Sequence, residues 1–248
     1  MTDAILRGKK GKYIPGMKEP YELSRSKVEL FQSCRRCFWL DRRCGIAPPG
    51  PAPYTLNSAV DELLKREFDG FRATHEVPPL LKKQGLLLYP AQRSELDQWR
   101  NNLKGVRVHD TTTNLIVYGA IDDLWVDETG TYYVADYKAT AKNGEVSLDA
   151  DWQIAYKRQV EFYQWLLRGN GLPVSNEAWF VYANGKRDRS SFDGTLFFEI
   201  SLIPYKGTSD WVGPTLKDIV SLLYEPHPPA SAPSCDVCAF VTRAAEQG

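Results

Sequence analysis

The sequence predicts an α/β fold with a mixed central β-sheet flanked by helices, and three observations predict it. Apolar residues recur at helical spacing in several segments, these segments bracket stretches where apolar and polar residues alternate every second position, and the order is helix, helix, strands, helix, strands, helix. The third observation is a pair of Cys-x-x-Cys motifs near opposite ends, Cys34/Cys37 and Cys235/Cys238, able to tie the N- and C-terminal segments together.

The elements follow in order. Leu23 and Ser24 read as a hydrophobic staple and N-cap for a first helix over about Arg25 to Arg43, carried by Val28, Phe31, Cys34/Arg35 and Phe38 and stopped by Gly45. A Pro-rich break from Ala47 to Pro53 precedes a second helix with Leu56, Val60, Leu63, Leu64 and Phe68 on its buried stripe, ending near Arg72. Pro78-Pro79 breaks the chain again, and Ser94 caps a short helix through Leu96, Trp99 and Leu103.

The period then changes to two. Val106 to His109, Leu115 to Asp127 and Thr131 to Ala139 read as strands, the last two joined by a tight turn at Glu128-Thr129-Gly130. Asp151 to Arg168 returns to helical spacing and stops at Gly169-Asn170-Gly171. Strands over Ala178 to Ala183 and Thr195 to Leu202 follow, then a helix over about Thr215 to Tyr224 and a Pro-rich tail carrying the second cysteine pair.

Composition bounds the function. With 43% apolar and 25% charged residues over 248 positions, the chain can bury a core and is not a disordered one. A formal net charge of zero argues against coating nucleic acid by bulk attraction. The charge is uneven, however: residues 1–43 hold eleven Lys and Arg against five acids, which implies a basic N-terminal face or simply a solvated helix face. No apolar run has signal-peptide or membrane-span length, so a soluble, cytoplasmic protein is expected. In a reducing compartment, five cysteines are read as metal chemistry before disulfides.

On the strand from Thr131 to Ala139, Tyr132, Val134, Asp136 and Lys138 share one face. A carboxylate beside an ammonium can hold a divalent metal and a water whose deprotonation the lysine assists. An isolated Asp-x-Lys is ordinarily a surface ion pair. Here the preceding strand adds Gly119-Ala120-Ile121-Asp122 and then Asp123, either of which can converge on Asp136 across the hairpin.

Gly-x-Ile-Asp, Asp-x-Lys with its aspartate fourteen positions after Asp122, and Gln159-x-x-x-Tyr163 on a following helix together resemble the RecB-type branch of the PD-(D/E)XK nucleases, which includes CRISPR-associated adaptation exonucleases. The resemblance implies a restriction-endonuclease-like core over residues 21–240 behind a basic extension at 1–20. It implies Mg²⁺ or Mn²⁺ held by Asp122, Asp136 and the carbonyl of Tyr137, with Lys138 catalytic and Gln159 and Tyr163 contacting DNA. Where the family carries a histidine ligand on the second helix, this chain has Asp61, which offers oxygen to the same hard ion or is a solvated surface acid like Glu62.

Four thiolates from Cys34, Cys37, Cys235 and Cys238 suit either zinc or an iron–sulfur cluster. The resemblance implies a 4Fe-4S cluster acting as a clasp, although the family distributes its cysteines one plus three and this chain two plus two. Cys44 is read as a spare or buried thiol.

The activity implied is metal-dependent DNA cleavage, exonucleolytic in the nearest family pattern, in repair, recombination or CRISPR adaptation. Lys157, Arg158 and the Lys186 to Arg189 loop are candidate phosphate contacts, and Trp152, Tyr156 and Trp165 are candidates for base stacking or core packing. No Walker-type phosphate loop or helicase motif is present, so unwinding would come from a partner, a helicase or another repair or adaptation protein. Two rivals remain: a catalytically silent, cluster-stabilised DNA-binding or scaffolding protein, and a zinc-clasped hydrolase of another phosphate ester.

Overall fold

In the computed structural model, which describes residues 11–48, 50 and 54–247, the elements run β1 (Tyr21–Ser24), α1 (Arg25–Ser33), α2 (Arg35–Trp39), a π-helical turn (Leu40–Cys44), α3 (Thr55–Thr74), α4 (Pro79–Lys83), β2 (Tyr89–Pro90), α5 (Leu96–Trp99), β3 (Val106–Asp110) and β4 (Leu115–Gly119). They continue with β5 (Asp123–Val126), β6 (Tyr132–Thr140), a 3-10 turn (Asp151–Gln153), α6 (Ile154–Gly169), β7 (Val174–Gly185), β8 (Phe198–Lys206), α7 (Val212–Tyr224) and α8 (Asp236–Ala245). This is the mixed α/β architecture expected. The first ten residues of the basic extension and part of the Pro-rich break lie outside the described residues.

The chain divides into two units. One, from residues 53–107 and 119–209, holds a five-stranded sheet in the order β2-β5-β6-β7-β8, antiparallel throughout except for the parallel pair β6/β7. Side chains alternate across β6. Ala135 and Tyr137 join Leu64 and Phe68 of α3, Trp125 and Val181 in one apolar cluster, where the Phe68 ring stacks on Trp125 at 5.3 Å. On the opposite face, Asp136 and Lys138 look toward α6, which packs on β6 and β7. Gly105, at φ +61°, must be glycine, because a Cβ there would stand 2.5 Å from the carbonyl oxygen of Gly119.

The other unit, residues 1–52, 108–118 and 210–248, holds most of a three-stranded sheet in the order β1-β4-β3, with β1 parallel to β4 from Tyr21↔Leu115 to Ser24↔Tyr118. Gln32 of α1 donates to Thr215 Oγ1 of α7 at 2.9 Å, and Trp39 Nε1 to the Glu225 carbonyl at 3.1 Å. Asp41, fully buried, accepts from Arg42 through both carboxylate oxygens and pairs with Lys27 at 2.5 Å.

Three expectations are corrected. The first helix is not continuous: Cys34 is extended (φ −158°, ψ 106°), capping α1 through its N–H to the Leu30 carbonyl at 2.8 Å and starting α2. The strand expected over Leu115 to Asp127 breaks after Gly119, so β4 and β5 lie in different sheets and Asp122 sits in the bend between them. The helix expected from Ser94 through Leu103 is a single turn, Leu96–Trp99, with Glu95 at its N-cap and Leu103 exposed, whereas the cysteine-bearing tail adds a helix at Asp236–Ala245. Among the described residues, no helix is long and apolar enough to cross a membrane.

Candidate active site and cysteine centre

A cavity of about 390 Å³ opens beside the end of β6, walled by Asp61, Asp122, Tyr137, Lys138, Tyr156 and Gln159 among others. Each wall residue arrives for a local reason. Asp61 lies on α3 one turn before Lys65, whose ammonium is 2.7 Å from Asp61 Oδ2 and 3.6 Å from Asp122 Oδ1. Its side chain is 32% exposed while that of Glu62 is 67% exposed, so Asp61 is not the solvated helix acid that its neighbour is. Burial and the adjacent Asp122 charge raise the Asp61 pKa, against the pull of Lys65 and Lys138.

Asp122 is held from below. The Tyr137 main-chain N–H donates to its Oδ2 at 2.9 Å. Asp123, next in sequence, turns the other way: fully buried, it pairs with Arg72 and with Arg100 at 3.0 Å and accepts from the Tyr137 hydroxyl at 2.6 Å. Asp69 completes that network by pairing with both arginines. Of the two acids that the sequence left open, Asp122 faces the cavity and Asp123 the core.

Asp136 is completely buried and ion-paired with Lys138, whose ammonium also lies 4.6 Å above the Tyr156 ring. Burial works against the Lys138 charge, but the Asp136 and Asp122 carboxylates outweigh it and raise its pKa above the ordinary lysine value. Gln159 Nε2 donates to the Tyr163 hydroxyl at 3.1 Å. Tyr163 is only 4% exposed and is not at the cavity wall, so it reaches the cavity through Gln159. Asp136 likewise lies behind Lys138. Lys65 was missed in the sequence, although its spacing of four from Asp61 on one helix was a visible signal.

Asp61, Asp122, Asp136 and the Tyr137 carbonyl all offer oxygen, the donor type that a hard divalent ion takes, and Asp61 and Asp122 line one cavity. Among the described residues, the group of metal-ligating side chains already closed around one point is the four cysteines, not these carboxylates.

The expected phosphate contacts are mostly engaged within the protein. Lys186 pairs with Glu199, Arg187 donates to Asn143 at 2.9 Å, and Arg189 lies 4.2 Å over the Phe197 ring. In the N-terminal segment, Lys27 and Arg42 serve Asp41, and Arg35 pairs with Asp218 at 3.2 Å. Trp152 stands 64% exposed, whereas Trp165 packs beside Phe162 with ring centroids 6.2 Å apart.

The second centre is built from two matching bites. Cys34 caps α2 and Cys235 caps α8. In each pair the next cysteine lies in the first helical turn, and the capping carbonyl accepts from the N–H four residues on at 3.0 Å, from Phe38 and Ala239 respectively. The sulfurs stand 3.9 Å (Cys34–Cys238), 3.6 Å (Cys37–Cys235) and 3.5 Å (Cys37–Cys238) apart, and all four lie within 4.8 Å of one another. A tetrahedral ion with Zn–S bonds of about 2.3 Å needs sulfurs ~3.8 Å apart. Burial opposes ionisation of Cys34, but hydrogen bonds from the main chain of Ala232 and Cys37 bring its pKa down to about 7. Burial and the neighbouring thiols push Cys37 up. Cys44 is not part of the set.

Comparison with known proteins gives three findings. The family model described as the PD-(D/E)XK nuclease superfamily matches residues 22–243. Two curated relatives, both cellulose 1,4-beta-cellobiosidase (reducing end) CelS of Acetivibrio thermocellus, are 28% identical over 96 residues, 36% of this chain. That stretch is 11% of their length, and the chain therefore spans about a tenth of these relatives. The crystal structure of SSO0001 superposes with a TM-score of 0.40 at 14% identity, covering 86% of this chain and 81% of that one, a likeness too loose to carry an argument.

Proposed function

Since the chain belongs to the PD-(D/E)XK nuclease superfamily, we propose that it is a deoxyribonuclease dependent on Mg²⁺ or Mn²⁺, cytoplasmic, with its active site at the cavity beside β6. The observation that carries this reading is the convergence on one cavity of Asp61, Asp122 and Lys138, with Asp136 ion-paired behind the lysine. Asp122, Asp136, the Tyr137 carbonyl and Asp61 would hold the ion, which supplies Lewis-acid polarisation of the scissile phosphate and an acidified water.

The protein's own groups do the rest. Lys138, ion-paired with Asp136 and at the cavity wall, would position the attacking water and the phosphate oxygens through its ammonium hydrogens. Tyr137 fixes Asp122 through its N–H, and Tyr163 orients the Gln159 amide toward the substrate. Exonucleolytic action, in DNA repair, recombination or CRISPR adaptation and beside a helicase or similar partner, is the extension that the motif pattern favours.

For the cysteine centre we infer a single zinc ion. The sulfur separations support it, because a four-iron cluster seats its thiolates on four separate metal atoms and spreads them wider. Metal analysis of anaerobically purified protein, with visible absorbance, separates zinc from a 4Fe-4S cluster.

One observation favours the silent reading: Lys65 pairs with both Asp61 and Asp122, as an ammonium can in a site that has lost its metal. The deciding experiment is cleavage of labelled linear single- and double-stranded DNA with Mg²⁺ or Mn²⁺ by the protein and its Asp136→Ala and Lys138→Ala variants. Cleavage lost in both variants supports the nuclease. No cleavage by folded, metal-loaded protein transfers the conclusion to a silent DNA-binding protein, with Lys65 the first residue to replace.

A further inference from the structure

Beside the acidic cavity lies a second one of about 200 Å³, and the two share Lys138, Ala139 and Tyr156. Its outer wall is Trp152, an indole 64% exposed on an ordered turn. The ring meets Tyr156 edge-on at 5.3 Å, and Tyr156 in turn presents its face to the Lys138 ammonium at 4.6 Å. A path of aromatic surface thus runs from the lysine outward.

The turn is held in place by two buried amides. Gln153, 5% exposed, accepts from the Ala150 N–H at 2.9 Å and donates to the Ser147 carbonyl at 2.6 Å and to the Tyr182 hydroxyl at 3.3 Å. Asn184, 3% exposed, accepts from the Lys142 N–H at 2.9 Å and donates back to the Lys142 carbonyl at 3.1 Å. Both segments lining this cavity are therefore fixed to the sheet and its helix, and the Lys142 ammonium is carried on one of them. An indole open to water, on a turn tied down by Gln153 and lining the same cavity as the exposed Lys142, with Tyr156 between it and the proposed reaction centre, offers a stacking surface.

We propose that this second cavity is a nucleobase subsite, in which the base next to the scissile phosphate stacks on Trp152 while Lys142 meets the adjoining phosphate. A paired base inside a duplex has both faces covered by its neighbours, and only an unpaired one offers a free face. The substrate selected is thus single-stranded DNA or an unwound end. This inference rests on the nuclease reading for its orientation toward the scissile bond, but not for the stacking itself.

The test is binding of a fluorescein-labelled oligothymidylate, a blunt duplex and an abasic oligomer of equal length, followed by anisotropy in Ca²⁺ for the parent, Trp152→Ala and Trp152→Phe. Trp152 is exposed, so neither variant disturbs the core. The expected result is tighter binding of the single strand than of the duplex, a roughly ten-fold loss in Trp152→Ala on the single strand alone, and recovery in Trp152→Phe. An unchanged affinity in Trp152→Ala, or an equal loss on the abasic oligomer, overturns the subsite. Stacking without cleavage in Mg²⁺ keeps the subsite and removes the nuclease reading. Cleavage indifferent to Trp152 on every substrate does the reverse.

Discussion

The main-chain N–H of Tyr137 donates to Asp122 Oδ2 at 2.9 Å, so the backbone of β6 itself aims the carboxylate at the cavity. The same residue sends its hydroxyl to Asp123 Oδ2 at 2.6 Å on the core side. One tyrosine therefore separates two consecutive acids, one turned to the cavity and one to the core.

The Asp122→Asn variant keeps an oxygen for the Tyr137 N–H and loses only the charge. It is expected to melt within about 0.5 kcal/mol of the parent, the usual range of changes that break no packing. Its cleavage rate should fall beyond the 10- to 100-fold typical of outer-shell residues around a metal. Initial rates across a Mg²⁺ titration check this, and a rate within ten-fold of the parent would remove Asp122 from the site.

Asp123→Ala behaves oppositely. It leaves Arg72 and Arg100, each 11% exposed, short of their buried carboxylate, with Asp69 and the carbonyls of Ala91 and Asp122 as their remaining partners. Breaking a buried pair from one side costs about 3–5 kcal/mol, and the surviving Asp69 contacts set the expectation near 3. Urea denaturation measures it. Activity per folded molecule should change far less than in Asp122→Asn, and equal loss of activity with unchanged stability would contradict the division between the two acids.

What the sequence disclosed and what it hid follow from locality. The face shared by Asp136 and Lys138, and the helix carrying Gln159 and Tyr163, were legible because side-chain periodicity is a property of neighbours. The choice of Asp122 over Asp123 came only from the Gly-x-Ile-Asp resemblance and not from periodicity, because it depends on where β5 begins, and the bend after Gly119 that sets this is held by contacts such as Ile121 N–H to the Trp99 carbonyl at 3.1 Å. β1 went unseen for a related reason: four residues at Tyr21–Ser24 are a strand only through pairing with β4 some ninety positions later. α8 carries an apolar stripe of Val237, Phe240 and Val241, but the stripe is short and stays exposed, and beside Pro-rich sequence and a cysteine pair it did not read as a helix. The break at Cys34 was invisible to spacing, since cysteines three apart face together both on a helix and across a cap.

Asp41 gives a pH dependence of defined sign. Burial raises its pKa, but hydrogen bonds and charge from Arg42 and Lys27 win and hold it below the ordinary carboxylate value. A group depressed in the folded state contributes stability above its unfolded pKa and loses it as pH falls through the folded one. Asp41→Asn should therefore be destabilised at neutral pH by about 3–5 kcal/mol, because Lys27 and Arg42 keep buried charge without an anion. The gap to the parent should close as pH drops below the normal aspartate range. Chemical denaturation at a series of pH values tests this, and a gap that stays constant into acid would show that Asp41 matters by shape alone.

The cysteine centre makes the last prediction. A metal held there would join Cys34 to Cys238, 204 positions apart, and α8 has no buried side chain to hold it otherwise. Behind α8, toward Leu40 and Ile46, lies a cavity of about 610 Å³, so apolar packing there is loose. A cross-link closing a loop that long contributes on the order of 5 kcal/mol through the unfolded state. Chelation, or Cys238→Ser, should therefore release α8 before anything else. Amide hydrogen exchange over Asp236–Ala245 should rise to nearly the unprotected rate in the metal-stripped protein while β6 and β7 stay protected. Restoring zinc to the parent, but not to Cys238→Ser, should bring protection back. Exchange over α8 that ignores the metal would mean that the thiols only pack together, and the clasp would be abandoned.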